Sequence, residues 1–128
     1  MANPDTLPKG DGKTILVVED DDLVLSSVRQ MLEILDYTPI TEQDPAAAIE
    51  ITLQNEDIVA IVSDVIMPEM SGHDMWRKLL MQGRRLPTLF MSGYIKSDLP
   101  INEHVVRLIK KPVEIEQLAE NLAALLAG

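Results

Sequence analysis

The chain has 128 residues and a formal net charge of −10, enough length for one folded domain and too little clustered positive charge for direct binding to nucleic acid. It has no cysteine, which excludes disulfides, thiol catalysis and zinc-thiolate sites. No apolar run approaches the roughly 20 residues of a membrane span, and the N-terminus has no signal-peptide pattern, so we expect a cytoplasmic protein that does not bind a membrane.

The first twelve residues differ in composition from the rest of the chain. They contain few apolar side chains and include Pro4, Pro8, Gly10 and Gly12. This composition is typical of a linker. We therefore expect residues 1–12 to form a flexible leader or linker outside the fold, and residues 13–128 to form the folded domain.

From residue 13 onward, apolar runs alternate with segments of helical spacing. In chain order, the expected elements are a strand at Thr14–Val18, a helix at Leu23–Leu35, a strand at Tyr37–Thr41, a helix at Pro45–Leu53, a strand at Ile58–Ser63, a helix at Gly72–Met81, a strand at Pro87–Met91, a strand at His104–Ile109 and a helix at Val113–Leu126. Asp44 and Ser71 have the side chains and positions of helix N-caps. The β-α alternation predicts a doubly wound parallel sheet with helices on both faces.

The segment between the last two strands differs from the other crossovers. Pro100 interrupts it, and Ile95–Leu99 lacks a full amphipathic repeat. Proline breaks a helix interior because it removes a hydrogen bond and clashes with the preceding turn. We expect the fourth helix of the alternation, which would lie here, to be short or irregular.

Acidic residues follow two of the expected strands. Glu19 and Asp20 come after the first strand, and Asp64 comes after the third, just before a loop with Pro and Gly. Because open α/β sheets bind ligands at the carboxyl ends of their strands, these acids are expected to meet in one crevice. Gathered acids repel one another unless a cation lies between them, so the pattern predicts a divalent metal beside a reactive aspartate. Asp21 and Asp22 are expected instead to cap and begin the first helix.

A hydroxyl and an amine follow the other two strands at that edge. Ser92 comes after the fourth strand and Lys111 after the fifth. Taken alone, Ser92 could simply begin a turn and Lys111 could simply interact with surface carboxylates. Together with the acids, however, Ser92 and Lys111 are the groups that phosphoryl transfer to a carboxylate requires, since a metal, a hydroxyl and an amine can each bind phosphoryl oxygens.

This ordered set of residues resembles a response-regulator receiver domain of two-component signalling. The resemblance covers about Lys13 to Ala127. The motifs that carry it are Glu19-Asp20, Asp64, Met67-Pro68-Glu69-Met70-Ser71-Gly72, Ser92-Gly93 and Lys111-Pro112. It implies a flavodoxin-like sheet of five parallel strands in the order 2-1-3-4-5 and a cis peptide bond at Lys111-Pro112.

The resemblance also implies a role for each site residue. Asp64 is expected to be the phosphoacceptor, Ser92 the hydroxyl that turns toward the phosphate, and Lys111 the paired amine. The expected ligands of Mg²⁺ are Asp20 directly, Glu19 largely through water, Asp64, and the main-chain carbonyl of Ile66.

The implied partner is a histidine kinase or a histidine phosphotransfer protein that carries a phosphohistidine. The downstream protein partner is not indicated. The domain is expected not to be an enzyme, but a phosphoacceptor that assists its own phosphorylation and dephosphorylation and changes its partner interactions.

Some positions depart from the usual pattern of the family. Glu19 stands where Asp is more common, and Leu108 stands where an aromatic is common. Tyr94, two residues after Ser92, could supply an aromatic instead. The stretch Phe90–Tyr94 is similar to receivers fused to hybrid histidine kinases, so the domain could be stand-alone or part of such a kinase.

Two other functions fit the fold less well. One is a phosphorylation-independent protein-interaction module, which would not need the acid pair, Ser92 and Lys111 to be intact. The other is a phosphohydrolase with an aspartyl nucleophile. Such enzymes commonly place a second acid two residues after the nucleophile, where this chain has Ile66.

Overall fold

The fold is a five-stranded parallel sheet with helices on both faces, seen in a computed structural model that describes residues 4–93 and 105–127. The strands are β1 (Thr14–Val18), β2 (Thr38–Glu42), β3 (Ile58–Asp64), β4 (Thr88–Ser92) and β5 (Val106–Lys110). Their order across the sheet is β2-β1-β3-β4-β5, and every neighbouring pair is parallel. The expected flavodoxin-like topology is confirmed.

Four α-helices lie within the described ranges. They are α1 (Asp22–Ile34), α2 (Pro45–Gln54), α3 (Gly72–Met81) and α4 (Ile115–Ala127), and a short 3₁₀ turn covers Pro4–Thr6. The expected N-caps are confirmed: the side chains of Asp21, Asp44 and Ser71 accept hydrogen bonds from amides in the first turns of α1, α2 and α3. These bonds satisfy amides that have no partner within the helix.

The boundaries of the elements differ from the expected ones by one or two residues, the usual margin where helices and strands end. β5, for example, begins at Val106. Ile95–Leu99, where a short or irregular fourth helix is expected, lies outside the described residues, as do Tyr94 and His104.

Two apolar clusters fill the two sides of the sheet. One lies between the sheet and helices α1 and α4, and the other lies between the sheet and helices α2 and α3. Strands buried on both faces need apolar side chains at nearly every position, which β1 and β3 have. Because both faces of the sheet are covered by apolar clusters, polar side chains of the strands lie at its carboxyl edge.

Part of the segment expected as a leader packs against the domain. Leu7 is only 8% exposed and belongs to the same apolar cluster as Leu35 and Tyr37. The amide of Gly10 donates to the carbonyl of Leu35 at 2.7 Å. A Cβ at Gly10 would lie 2.2 Å from the Tyr37 ring, so the backbone there needs glycine to lie against the ring. Leu7 and Gly10 thus pack against the folded body, which the low apolar content of this segment did not predict.

Within residues 4–93 and 105–127, we find no helix with both the length and the apolar character needed to cross a bilayer.

Candidate functional site

The sheet brings the expected site residues to one edge. Glu19 and Asp20 directly follow β1, Asp64 ends β3, and Ser92 ends β4. Lys111 directly follows β5. The strand register pairs Val18 with Ser63 and Asp64 with Met91, so the three central strands end at nearly the same level. The predicted convergence at the carboxyl edge is therefore observed.

The three acids form a compact group. Carboxylate oxygens of Glu19, Asp20 and Asp64 lie within 4.8 Å of one another. Glu19 is fully buried and Asp64 is nearly so, whereas Asp20 is exposed. Hard divalent cations prefer several oxygen ligands and often keep waters, so an all-carboxylate group that is open on one side fits such an ion. The group could hold a metal ion.

Lys111 lies between two of these acids. Its Nζ is 2.5 Å from Oε1 of Glu19 and 3.1 Å from Oδ2 of Asp64. The second carboxylate oxygen of Glu19 accepts a hydrogen bond from the amide of Asp21 at 3.1 Å. One ammonium among three carboxylates leaves two negative charges uncompensated within the group. A divalent cation would balance them.

The pKa values of both ion-pair partners are raised, but for different reasons. Burial raises the pKa of Glu19, and the hydrogen bonds from Lys111 and the Asp21 amide only partly oppose this. Burial lowers the pKa of Lys111, but its hydrogen bonds and attraction to Glu19 and Asp64 together outweigh burial, so its pKa is raised. Lys111 therefore stays an ammonium beside Asp64 at neutral pH.

The backbone after Asp64 is held by contacts that pattern reasoning missed. The Ser63 hydroxyl donates to the Asp64 carbonyl at 2.9 Å, and the Gly72 amide donates to the Val65 carbonyl at 2.8 Å. A Cβ at Gly72 would lie 2.2 Å from the Asp64 carbonyl oxygen. The available signal was a glycine in the first turn of an expected helix, because glycine is a poor helix former and often marks a close approach of two backbones.

The remaining expected site residues lie next to this group. Ser92 is buried, and its carbonyl accepts a hydrogen bond from the Lys111 amide at 2.8 Å. The Lys111-Pro112 peptide bond is cis, as the resemblance implied. The Ile66 amide is 3.5 Å from Oδ1 of Asp64, and the Ile66 side chain is exposed. The role of the Ile66 carbonyl as a metal ligand stays a prediction.

Sequence comparisons identify a family that matches this geometry. Residues 15–123 match the family described as the response regulator receiver domain. The chain is 32% identical over 119 residues to the response regulator MprA of Mycobacterium sp. (strain KMS), which covers 88% of this chain and 50% of that protein. It is 30% identical over 117 residues to the sensor kinase CckA of Brucella abortus (strain 2308), with 88% of this chain and 12% of that protein covered. The chain thus spans half or less of the length of these relatives.

Solved structures agree with these matches. The receiver domain of the hybrid histidine kinase CckA has a TM-score of 0.75 at 32% identity and covers 88% of this chain and 98% of that one. A response regulator receiver domain protein from Clostridium thermocellum has a TM-score of 0.81 and covers 89% of this chain and 94% of that one; at 23% identity, it supports the fold alone. From the family match, the strand order and the acids at the carboxyl edge, we conclude that the chain belongs to the response-regulator receiver domains of two-component signalling.

Proposed function

We propose that Asp64 accepts a phosphoryl group from a phosphohistidine on a histidine kinase or histidine phosphotransfer protein, and that the modified domain changes its interaction with a downstream protein. The observation that carries the proposal is the position of Asp64. It ends β3 beside two further acids, and one of its oxygens is 3.1 Å from the Lys111 ammonium. A nucleophilic carboxylate, an acidic metal site and an amine are the parts that phosphoryl transfer to a carboxylate requires.

The transfer is a displacement at phosphorus. A carboxylate oxygen of Asp64 forms the new O–P bond, the P–N bond to the donor histidine breaks, and its electron pair stays on the imidazole nitrogen. The charge on the phosphoryl oxygens must be neutralised as this happens. Lys111 is near enough to Asp64 to do this, because its Nζ already contacts Oδ2 of that side chain.

Mg²⁺ is the proposed metal. Glu19, Asp20, Asp64 and the Ile66 carbonyl would hold it, Glu19 largely through water. The oxygen donor set supports a hard cation, and cysteine is absent from the sequence. When bound, Mg²⁺ supplies positive charge for the phosphoryl oxygens.

Ser92 is the proposed link between the acceptor and the rest of the domain. Its hydroxyl donates to a phosphoryl oxygen on Asp64, which draws the end of β4 toward the acceptor. Because the Ser92 carbonyl also accepts from the Lys111 amide, the ends of β4 and β5 move together. A rearrangement of this kind turns a local charge into a changed partner surface.

In this proposal the domain is a signalling component rather than an enzyme, and it assists its own phosphorylation and dephosphorylation. Its likeness to both the response regulator MprA and the CckA receiver supports a receiver domain either of a response regulator or of a hybrid kinase; a stand-alone receiver remains the third form of the proposal. A cytoplasmic location belongs to this proposal, and the absence of cysteine is compatible with it.

The test is the intact mass of the protein after incubation with phosphoramidate, with and without Mg²⁺. The wild type and Asp57→Asn, which changes an exposed aspartate remote from the site, should each gain one phosphoryl group only when Mg²⁺ is present. Asp64→Asn should gain none. No gain in the wild type at saturating Mg²⁺ would contradict the proposal and favour the phosphorylation-independent interaction module.

A further inference from the structure

Ser63 is a buried hydroxyl residue directly before the proposed phosphoacceptor. It is the last residue but one of β3, and it is fully buried. Ile61, on the same face of the strand, belongs to the apolar cluster between the sheet and helices α2 and α3. A hydroxyl in apolar surroundings is costly unless it is hydrogen-bonded. The partner of this hydroxyl therefore indicates what Ser63 contributes.

The Ser63 hydroxyl bonds to the backbone of the acceptor residue. It donates to the Asp64 carbonyl at 2.9 Å. The amide at the other end of the same peptide unit, that of Val65, donates to the carbonyl of Met91 in β4 at 3.1 Å. The peptide unit between Asp64 and Val65 is thus held at both of its polar atoms. Rotation of this unit would break two hydrogen bonds.

The next peptide unit is also held at both ends. The Val65 carbonyl accepts from the Gly72 amide at 2.8 Å, and the Ile66 amide is 3.5 Å from Oδ1 of Asp64. The backbone therefore leads in two restrained steps from Ser63 to Ile66, whose carbonyl is a proposed ligand of the metal. A shift of the first peptide unit would change the positions of both the Asp64 carboxylate and the Ile66 carbonyl.

Helix α3 closes the space around the hydrogen bond of Ser63. A Cβ at Gly72 would lie 3.0 Å from Oγ of Ser63 and 2.2 Å from the Asp64 carbonyl oxygen. Both oxygens thus lie against the same glycine at the start of α3. Removal of one hydroxyl oxygen leaves less space than a water molecule needs. We therefore expect that no water takes over the hydrogen bond when the hydroxyl is lost.

We propose that Ser63 is a positioning residue for phosphoryl transfer, whose hydroxyl fixes the peptide unit after Asp64 and thereby the Asp64 carboxylate and the Ile66 carbonyl. This inference rests on the proposed function of Asp64. Ser63 acts through the backbone of its neighbour rather than on the phosphoryl group. Groups that orient a metal ligand in this way commonly change activity or metal affinity about tenfold or more when they are removed.

The variant Ser63→Ala tests the proposal, because it removes the hydroxyl and keeps Cβ. In the full chain, it should slow the gain of phosphate from phosphoramidate at saturating Mg²⁺ about tenfold or more. It should also weaken the binding of Mg²⁺, measured by titration calorimetry without a phosphodonor, about threefold or more. The calorimetric measurement does not depend on phosphorylation.

Two matched controls separate positioning from a general loss of stability. Thr52 and Thr88 are also buried, and their hydroxyls donate to the carbonyls of Ala48 at 2.8 Å and Leu86 at 3.0 Å. Thr52→Val and Thr88→Val each remove one such hydroxyl away from the carboxyl edge of the sheet. They should lower the unfolding temperature to an extent similar to Ser63→Ala, yet keep the wild-type rate of phosphate gain and the wild-type Mg²⁺ affinity. Circular dichroism establishes that each variant is folded.

The outcomes distinguish this inference from the function on which it rests. If the wild type gains no phosphate, the proposed function fails and the role of Ser63 fails with it. If the wild type gains phosphate and Ser63→Ala matches its controls in rate or in Mg²⁺ affinity, the role of Ser63 alone is overturned.

Discussion

The ion pair between Lys111 and Glu19 compensates a buried negative charge at the carboxyl edge of the sheet. Glu19 is fully buried, and Lys111 contacts it and Asp64 at once. A buried carboxylate without a cation is costly, because desolvation then has no compensating attraction. The lysine thus compensates part of the negative charge of Glu19 and Asp64.

Loss of Lys111 should therefore reduce stability. We expect Lys111→Met to lower the free energy of unfolding by about 1 to 3 kcal/mol without metal, since Glu19 loses its charged partner. Mg²⁺ should restore part of this loss by supplying another cation. Urea unfolding followed by circular dichroism, with EDTA or with Mg²⁺, measures both effects. Lys110→Met is the control, because Lys110 is exposed; an equal loss in that variant would contradict this account.

The raised pKa of Glu19 predicts how stability depends on pH. An acid whose pKa is higher in the folded state than in the unfolded state destabilises the fold as it ionises. This penalty is absent below the ordinary value of 4.5 and grows as pH rises through the raised value. In EDTA, the wild type should accordingly lose stability relative to Glu19→Gln as pH increases above about 4.5. Parallel stability curves for the two proteins would contradict the prediction.

At the scale of elements, the loop from β3 to α3 positions Asp64. Gly72 begins α3 with no side chain because the Asp64 carbonyl oxygen occupies the space of a Cβ. We expect Gly72→Ala to destabilise the domain by about 1 to 3 kcal/mol, as overpacking does, and to slow the gain of phosphate at Asp64. Thermal unfolding and the mass assay measure the two effects.

Gly93→Ala is the matched control for this change in stability. Within the part of the chain that the structure describes, a Cβ at Gly93 would meet no atom within 4 Å, so the effect of Gly93→Ala should stay within about 0.5 kcal/mol. If the two alanine variants were equally stable, the close approach of α3 to Asp64 would not constrain the loop.

The sequence predicted the helices and strands, but it did not predict all of the contacts between their side chains and backbones. Asp44 before Pro45 and Ser71 before Gly72 marked the starts of α2 and α3, because caps depend on residues close in sequence. Acids at strand ends indicated the site because parallel strands share an edge. The hydrogen bond from Ser63 to Asp64 depends on side-chain orientation at one strand end, and periodicity does not encode that.

At the scale of the whole molecule, the N-terminal segment extends the apolar core. Composition predicted a leader, since proline and glycine are frequent before residue 13. One apolar side chain, Leu7, nevertheless packs with Leu35 and Tyr37. A single buried contact of this kind leaves no periodic pattern, so the sequence could not reveal it.

This packing predicts a measurable contribution from Leu7. Leu7→Ala should lower the free energy of unfolding by about 1 to 3 kcal/mol, toward the lower end of the cost of truncating a buried leucine, because Leu7 is still 8% exposed. Leu23→Ala is the comparison, since Leu23 is 83% exposed and should cost less than about 0.5 kcal/mol. Equal effects in chemical denaturation would show that the packing of Leu7 does not contribute to stability.

The most direct test of the account is chemical trapping of the phosphorylated residue. Borohydride reduces an acyl phosphate to an alcohol, so a phosphorylated aspartate becomes homoserine and is found by peptide mass mapping. After phosphoramidate and Mg²⁺, we expect this conversion at Asp64, with none at Glu19, Asp20 or Asp57. Conversion at another acid, or none despite a gain of phosphate in the intact protein, would contradict the assignment of Asp64 as the phosphoacceptor.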